Sequence, residues 1–368
     1  IQHIRDIEAD TNIPISIIAD MQGPKIRCGV FENDQIELKH GEQITIECSD
    51  ELGKDGLIRM PHPELIKALG PGHILKFDDG KLRVTINSND GEKLTATVDT
   101  PGILKNKKGI NIINAVLPMS AMTDKDKTDM EFALSQNVDF IALSFVQTVE
   151  DVKDARAIIG DQAGIIVKIE KPSAVENLTE ILLESDVVMV ARGDLGVEVP
   201  MQEVPMIQKS IIKRCMEHGR PVIVATQMME SMIEAAVPTR AEVNDVANAV
   251  LDGADAVMLS AETSVGAFPV NAVRAMTEIC TSVERHDHIY HHERPPYSPD
   301  EDRFISDSIC YNACRLAKRV EAKGIVTMSF SGYTAMQVAS QRPACNIHLF
   351  TANKRILKQM SLVWGVTA

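Results

Sequence analysis

Five short apolar runs, each closed by polar residues and followed by an amphipathic stretch, occupy residues 138–262. They constrain the fold more than any other feature. The runs are Asp139–Phe145 (DFIALSF), Ile165–Glu170 (IIVKIE), Val187–Asp194 (VVMVARGD), Pro221–Gln227 (PVIVATQ) and Ala256–Glu262 (AVMLSAE). Unbroken Val, Ile and Met without alternation suit strands covered on both faces, which means a parallel sheet with helical crossovers. Equivalent polar ends recur every 24 to 34 residues, room for one helix each. One of those helices announces its start: Thr239-Arg-Ala-Glu242 reads as a capping box, with Val243, Val246, Ala247, Val250 and Leu251 following at helical spacing. A sixth strand, Ile15–Asp20, precedes the turn Gln22-Gly23-Pro24. Six βα units make either a (β/α) barrel or an open doubly wound sheet. In both architectures the site lies beyond the C-terminal ends of the strands, where these polar residues gather.

Residues 29–116 follow another period. Ile36-Glu-Leu-Lys, Ile44-Thr-Ile-Glu, Leu82-Arg-Val-Thr-Ile and Leu94-Thr-Ala-Thr-Val alternate two by two between His40-Gly41, Asp79-Gly80 and Asn89-Asp90-Gly91 turns. This predicts a small antiparallel β domain inserted after one barrel strand. Residues 284–302, polar with three prolines and four histidines, read as a solvated interdomain connection rather than a histidine metal site. Beyond it, a helix over 305–320, a strand over 325–330, a helix over 335–340 and a strand over 347–350 predict a third, α/β unit. Trp364–Ala368 looks like the start of another strand. The domains expected are thus 1–28 with 117–285, then 29–116, then 286–368.

With 368 residues the chain can bury a large core, and it carries no apolar run long enough to span a bilayer and no visible secretory leader. A formal charge of −14 disfavours nucleic acid or an anionic membrane as partner, but not a small anion held locally. Seven cysteines without metal or CxxC spacing suggest reduced thiols in a cytoplasmic protein, with Cys310 and Cys314 packed in a core.

The chemistry gathers at the strand ends. Lys168 and Glu170, two residues apart on a strand, project to one side among Ile165, Ile166, Val167 and Ile169. An ordinary buried ion pair would account for them alone. The next run ends in Arg192-Gly193-Asp194-Leu195-Gly196, whose glycines let backbone N–H groups approach an anion. Glu170 and Asp194 together suit Mg²⁺ or Mn²⁺ that keeps substrate oxygens as further ligands. Thr226 with Gln227, and Ser260 with Glu262, close the following two runs. Four successive strands ending in polar residues around one axis are hard to explain by packing. Lys25 and Arg27 at one hinge of the insertion, and Lys105, Lys107 and Lys108 at the other, point to a lid that binds a polyphosphate.

These segments resemble the pyruvate kinase family. ADMQGPKIR (Ala19–Arg27), VKIEK (Val167–Lys171), MVARGDLGVE (Met189–Glu198), ATQMMESM (Ala225–Met232), PTRAE (Pro238–Glu242) and DVANAVLDGADAVMLSAET (Asp245–Thr263) stand in that family's order and spacing. The resemblance implies a (β/α)8-type (TIM) barrel, an inserted β-barrel lid and a C-terminal α/β regulatory domain. It implies transfer of the phosphoryl group of phosphoenolpyruvate to ADP, giving ATP and pyruvate in glycolysis through a magnesium-stabilised enolate. Glu170 and Asp194 would hold the metal, and Lys168 would neutralise the phosphoryl group and enolate. Backbone N–H groups around Gly193 and Asp194, with Thr226, would grip the substrate carboxylate, and Thr226 would also lie near the path of enolate protonation. Arg27, Asp79 and Lys108 would face the nucleotide. A cytoplasmic homotetramer with a sugar-phosphate effector is also implied.

Three features depart from the family pattern. Six barrel strands are present where the family has eight, and an Arg-x-Asn-x-Ser segment is absent, so a chain cut short at both ends is expected. Asp20 and Lys25 stand at the monovalent-cation position, where one branch has an acidic residue and uses K⁺; the Lys25 ammonium is expected to replace K⁺. The loop Ser329-Phe-Ser331-Gly332-Tyr333-Thr334 resembles an effector phosphate loop, with Tyr333 in place of a basic residue; helix capping by Ser331 or Thr334 is the alternative. The rival enzyme reading is a metal-dependent pyruvate lyase or aldolase, which would need no nucleotide clamp. A catalytically silent scaffold is the rival outside enzymes.

Overall fold

The computed structural model describes residues 1–113, 120–296 and 302–368. Its largest unit is a sheet of six strands, β1 (Ile18–Asp20), β2 (Phe140–Leu143), β3 (Gly164–Ile169), β4 (Val187–Ala191), β5 (Val222–Ala225) and β6 (Ala256–Val257). Every adjacent pair is parallel, and the order across the sheet is the order along the chain. A doubly wound sheet reverses its order at a switch point. This one never does, so the barrel wall is the architecture, curled with helices outside.

Burial explains the unbroken apolar runs. Ile141, Leu143, Ile165, Val167, Val188, Val190, Val222 and Val224 belong to the apolar cluster shared with the surrounding helices. Their alternates Phe140, Ala142, Ile166, Val187, Met189, Ile223 and Ala225 form a separate cluster on the other face. Lys168, two residues after Ile166, sits on that second face and is the one position of β3 that is not fully buried. The strands are shorter than the runs suggest. Strand β4 stops at Ala191, because Arg192–Glu198 winds into a helix, and β6 has only two residues before a helical turn over Ala261–Ser264. The expected capping box is present: Thr239 Oγ1 accepts from Glu242 N–H, and the Glu242 carboxylate accepts from Thr239 N–H at 2.7 Å.

The insertion holds a six-stranded sheet in the order Leu57–Arg59, Gln43–Glu47, Lys93–Thr100, Leu82–Asn89, Ile74–Phe77 and Ile110–Ile113, beside a ribbon of Gln35–Leu38 with Gly102–Lys105. All pairings are antiparallel except that of Gln43–Glu47 with Leu57–Arg59. Its core, including Phe31, Leu38, Ile46, Leu75, Phe77 and Leu94, is separate from that of the barrel. It meets the barrel at the Arg192–Glu198 helix, where Lys76 Nζ donates to Val197 O and Asn111 Nδ2 donates to Glu198 Oε1. The expected return at 116/117 lies outside the described residues, as does part of the 284–302 connection.

The C-terminal unit has three parallel strands, Gly324–Met328, Asn346–Phe350 and Val366–Thr367, with helices over Phe304–Arg319 and Tyr333–Ser340. Cys310 and Cys314 pack in its core, where burial pushes their thiols up to about 11 and about 12. Among the described residues no helix is long and apolar enough to cross a membrane.

Candidate active site

A cavity of about 350 Å³ opens at the C-terminal ends of the first four barrel strands, roofed by the insertion. Asp20 reaches it from β1, Ser144 and Phe145 from the end of β2, Lys168 and Glu170 from β3, Asp194 from beyond β4, and Asp79 from the insertion. The alternation of β3 sends Lys168 and Glu170 to the same side, as their spacing predicts.

The Lys168 ammonium donates to Ser144 Oγ at 2.8 Å and lies 3.0 Å from Glu170 Oε1 and 3.4 Å from Asp20 Oδ1. Burial works against this cation, yet Glu170, Asp20 and Asp194 outweigh it and raise its pKa above the ordinary lysine value. Lys168 therefore stays charged. Glu170, only 1% exposed, accepts the Phe145 N–H at 2.8 Å through Oε2, while its Oε1 accepts no hydrogen bond of good geometry. Burial, and then the charge of Asp194, lift its pKa in spite of Lys168. One buried lysine does not satisfy this carboxylate. Two hard oxygen donors, one of them under-coordinated, fit a divalent cation that takes its remaining ligands from substrate or water.

Beside the cavity, the turn after β5 is strained. Thr226 and Gln227 have φ of +67° and +52°, a region costly for a β-branched residue. Arg192 holds them there: its guanidinium donates to Thr226 O at 2.7 Å and Gln227 O at 3.1 Å, and is gripped by both Asp245 oxygens at 2.7 and 2.6 Å. The turn aims the Thr226 hydroxyl at Gly193, whose N–H donates to it at 2.7 Å. Gly193, Asp194, Gln227 and Asp79 line a second hollow of about 720 Å³ under the insertion. Asp194 and Asp79 thus border both spaces.

The remaining expected residues divide. Lys25 lines the first cavity and is exposed. Arg27 does not line it; its guanidinium donates to Lys107 O at 2.9 Å while its backbone bridges Gly109. Lys108 also lies outside, its ammonium 2.7 Å from Asp78 rather than on Asp79. In the C-terminal loop, Ser329 Oγ accepts the Gly332 N–H at 3.0 Å and Ser331 Oγ the Tyr333 N–H at 3.4 Å, so the loop caps itself. Thr334 bonds to Thr327, and the Tyr333 hydroxyl to Asp307.

Sequence reasoning passed over Ser144, the Phe145 N–H and the Arg192–Asp245 clamp. Ser144 had a signal, since DFIALSF ends in a polar residue like the other runs. The Arg192 clamp had none, because 53 residues separate its partners.

A curled parallel barrel with a cationic lysine, two carboxylates and a strained threonine turn at its strand ends, closed by a separate β unit, defines an enzyme built for small, highly charged substrates. A model described as pyruvate kinase, barrel domain, matches residues 1–273, and one described as pyruvate kinase, alpha/beta domain, matches residues 307–368. The pyruvate kinase of Agrobacterium vitis is 42% identical over 368 residues, covering 100% of this chain and 77% of that protein. That of Methylorubrum extorquens is 41% identical, with 100% and 76% covered. The crystal structure of a pyruvate kinase from Cryptosporidium parvum superposes with a TM-score of 0.93 at 36% identity, covering 100% of this chain and 77% of that one. The chain belongs to the pyruvate kinase family of phosphotransferases, which move the phosphoryl group of phosphoenolpyruvate to ADP.

Proposed function

We propose that the cavity between the strand ends and the insertion is where phosphoenolpyruvate meets ADP, and that the observation carrying this reading is Lys168, a partly buried cation among three carboxylates. The ammonium faces the transferring phosphoryl group. It neutralises charge as the P–O bond to the enol oxygen breaks and a β-phosphate oxygen of ADP forms the new one. Phosphoryl transfer depends on positioning and charge neutralisation more than on a covalent group. Ser144 and Asp20 keep the ammonium aimed. Glu170 and Asp194 hold Mg²⁺ or Mn²⁺, which when bound supplies neutralisation of substrate oxygens. The backbone N–H groups around Gly193 and Asp194, with Thr226, receive the substrate carboxylate, the Gly193 N–H exchanging its Thr226 partner for the anion. The Thr226 hydroxyl stands near the carbon that takes a proton to give pyruvate. Asp79, Arg27 and Lys108 belong to the nucleotide side, and the insertion excludes water that would hydrolyse the donor.

Lys25 supplies the positive charge that K⁺ gives elsewhere in the family, beside Asp20. Family resemblance supports a cytoplasmic homotetramer and a sugar-phosphate effector on Ser329, Ser331, Gly332, Tyr333 and Thr334; the self-capped loop would have to release its N–H groups first. Mn²⁺ binding followed by electron paramagnetic resonance tests the metal assignment. Glu170→Gln is expected to weaken Mn²⁺ about tenfold or more, as loss of one charged ligand should. Unchanged affinity in a folded variant would reject Glu170 as a ligand.

A further inference from the structure

Two charged residues flank the proposed metal position without belonging to it. Lys171 directly follows Glu170, and Glu198 lies one helical turn after Asp194, on the same face of the Arg192–Glu198 helix. The Lys171 ammonium stands 2.7 Å from Glu198 Oε1, and the two residues are only 6% and 3% exposed. Two further elements meet at the pair. Asn111 Nδ2, from the Ile110–Ile113 strand of the insertion, donates to the same Glu198 oxygen at 2.9 Å. Lys171 Nζ also lies over the Phe145 ring, 5.6 Å from its centroid. Phe145 has a φ of +58°, and its N–H is the one that donates to Glu170 Oε2 at 2.8 Å.

Burying two charges removes hydration that their attraction only roughly offsets, and apolar side chains of the same volume would often serve stability as well. Holding the fold together therefore does not account for the pair. An ion pair with a second hydrogen bond on the same oxygen does supply a fixed spacing, because it is directional where apolar packing tolerates sliding. Phe145 needs such holding, since a left-handed φ is costly for a bulky residue. A magnesium ion needs it too. This small, hard cation demands oxygen ligands at about 2.0–2.1 Å in a near-octahedral array, so a small shift between two of its ligands costs affinity.

We propose that Lys171 and Glu198 are positioning residues for the metal: their pair fixes the strand end carrying Glu170 against the helix carrying Asp194, and so sets the separation of the two carboxylates. This rests on the reading that Glu170 and Asp194 hold the divalent cation. Lys171 acts twice, on the helix through Glu198 and on Glu170 through the Phe145 ring and the Phe145 N–H. Asn111 extends the same contact to the insertion, so the spacing of the metal ligands is tied to the seating of the lid.

Mn²⁺ is the probe, its binding to the whole chain followed by electron paramagnetic resonance in Lys171→Met, Glu198→Gln and the double variant, with Glu170→Gln beside them. Melting curves establish that each variant is folded. Residues acting only through their charge would give opposite signs: losing the cation would tighten Mn²⁺ and losing the carboxylate would weaken it. The double variant, in which opposite charges 2.7 Å apart vanish together, would then bind nearly as the parent does. Positioning predicts instead that both single variants bind Mn²⁺ about tenfold more weakly, and that the double variant is no worse than either. Should a single variant, left with an unpaired buried charge, fail to fold, the double variant leaves none and still decides. Tighter Mn²⁺ in Lys171→Met would overturn the proposal. So would parent-like Mn²⁺ affinity in the folded double variant with a lowered melting temperature, the mark of a merely structural pair. If Glu170→Gln weakens Mn²⁺ while the double variant does not, only the positioning role falls; if Glu170→Gln changes nothing, the metal reading falls and the positioning role with it.

Discussion

Lys168 shows how one residue's charge is fixed by its surroundings. Burial would discharge an isolated lysine, and here three carboxylates reverse the outcome. For Glu170 burial is the larger influence: it lifts the carboxyl pKa in spite of Lys168, and the charge of Asp194 adds to the lift. A divalent cation held by Glu170 and Asp194, as proposed above, would stabilise the charged carboxylate. Lys25 makes the second case at this scale: an exposed ammonium on the wall of the same cavity, beside Asp20 in the lining. Pyruvate formation is therefore expected to be the same with and without K⁺, and Lys25→Glu should make it K⁺-dependent. A parent enzyme with negligible rate until K⁺ is added would disprove that role.

At the scale of elements, the turn after β5 and the helix after β4 act as one device. Two successive left-handed residues cost about 1–3 kcal/mol each, and the Arg192 guanidinium offsets this with four charge-assisted hydrogen bonds. Lysine cannot reproduce that fork. Arg192→Lys is expected to lower kcat about tenfold or more with a smaller change in KM for ADP, and a double change with Asp245→Asn should cost little beyond the single one. Additive losses would show that the two residues do not work as a clamp. The sheet itself was legible, because continuous apolar runs leave few alternatives to a doubly covered parallel sheet. The polar strand ends marked Lys168, Glu170, Asp194 and Thr226 for the same reason. Residues that act through distant partners, Arg192 with Asp245 and Ser144 with Lys168, were not, since no period in sequence encodes a contact across strands. The short strands Leu57–Arg59 and Ile110–Ile113 were missed because three or four residues carry too little alternation.

Across the whole molecule, the insertion and the barrel have separate cores and meet through a few polar contacts on the Arg192–Glu198 helix. A joint of that kind can open without unfolding either unit. Arg27 and Lys108 engage the Lys107 carbonyl and Asp78, so the nucleotide role proposed for them requires a side-chain rearrangement. Replacing Asn111 by Ala removes one tie to Glu198 and should raise KM for ADP more than that for phosphoenolpyruvate; equal changes would mean that the joint does not serve the nucleotide. The account rests above all on the cavity under that joint. Pyruvate release from phosphoenolpyruvate and MgADP, measured for the parent and for a folded Lys168→Met, tests it most directly. A fall of about a hundredfold or more in kcat is predicted from loss of the charge facing the phosphoryl group; a rate equal to the parent's would contradict it.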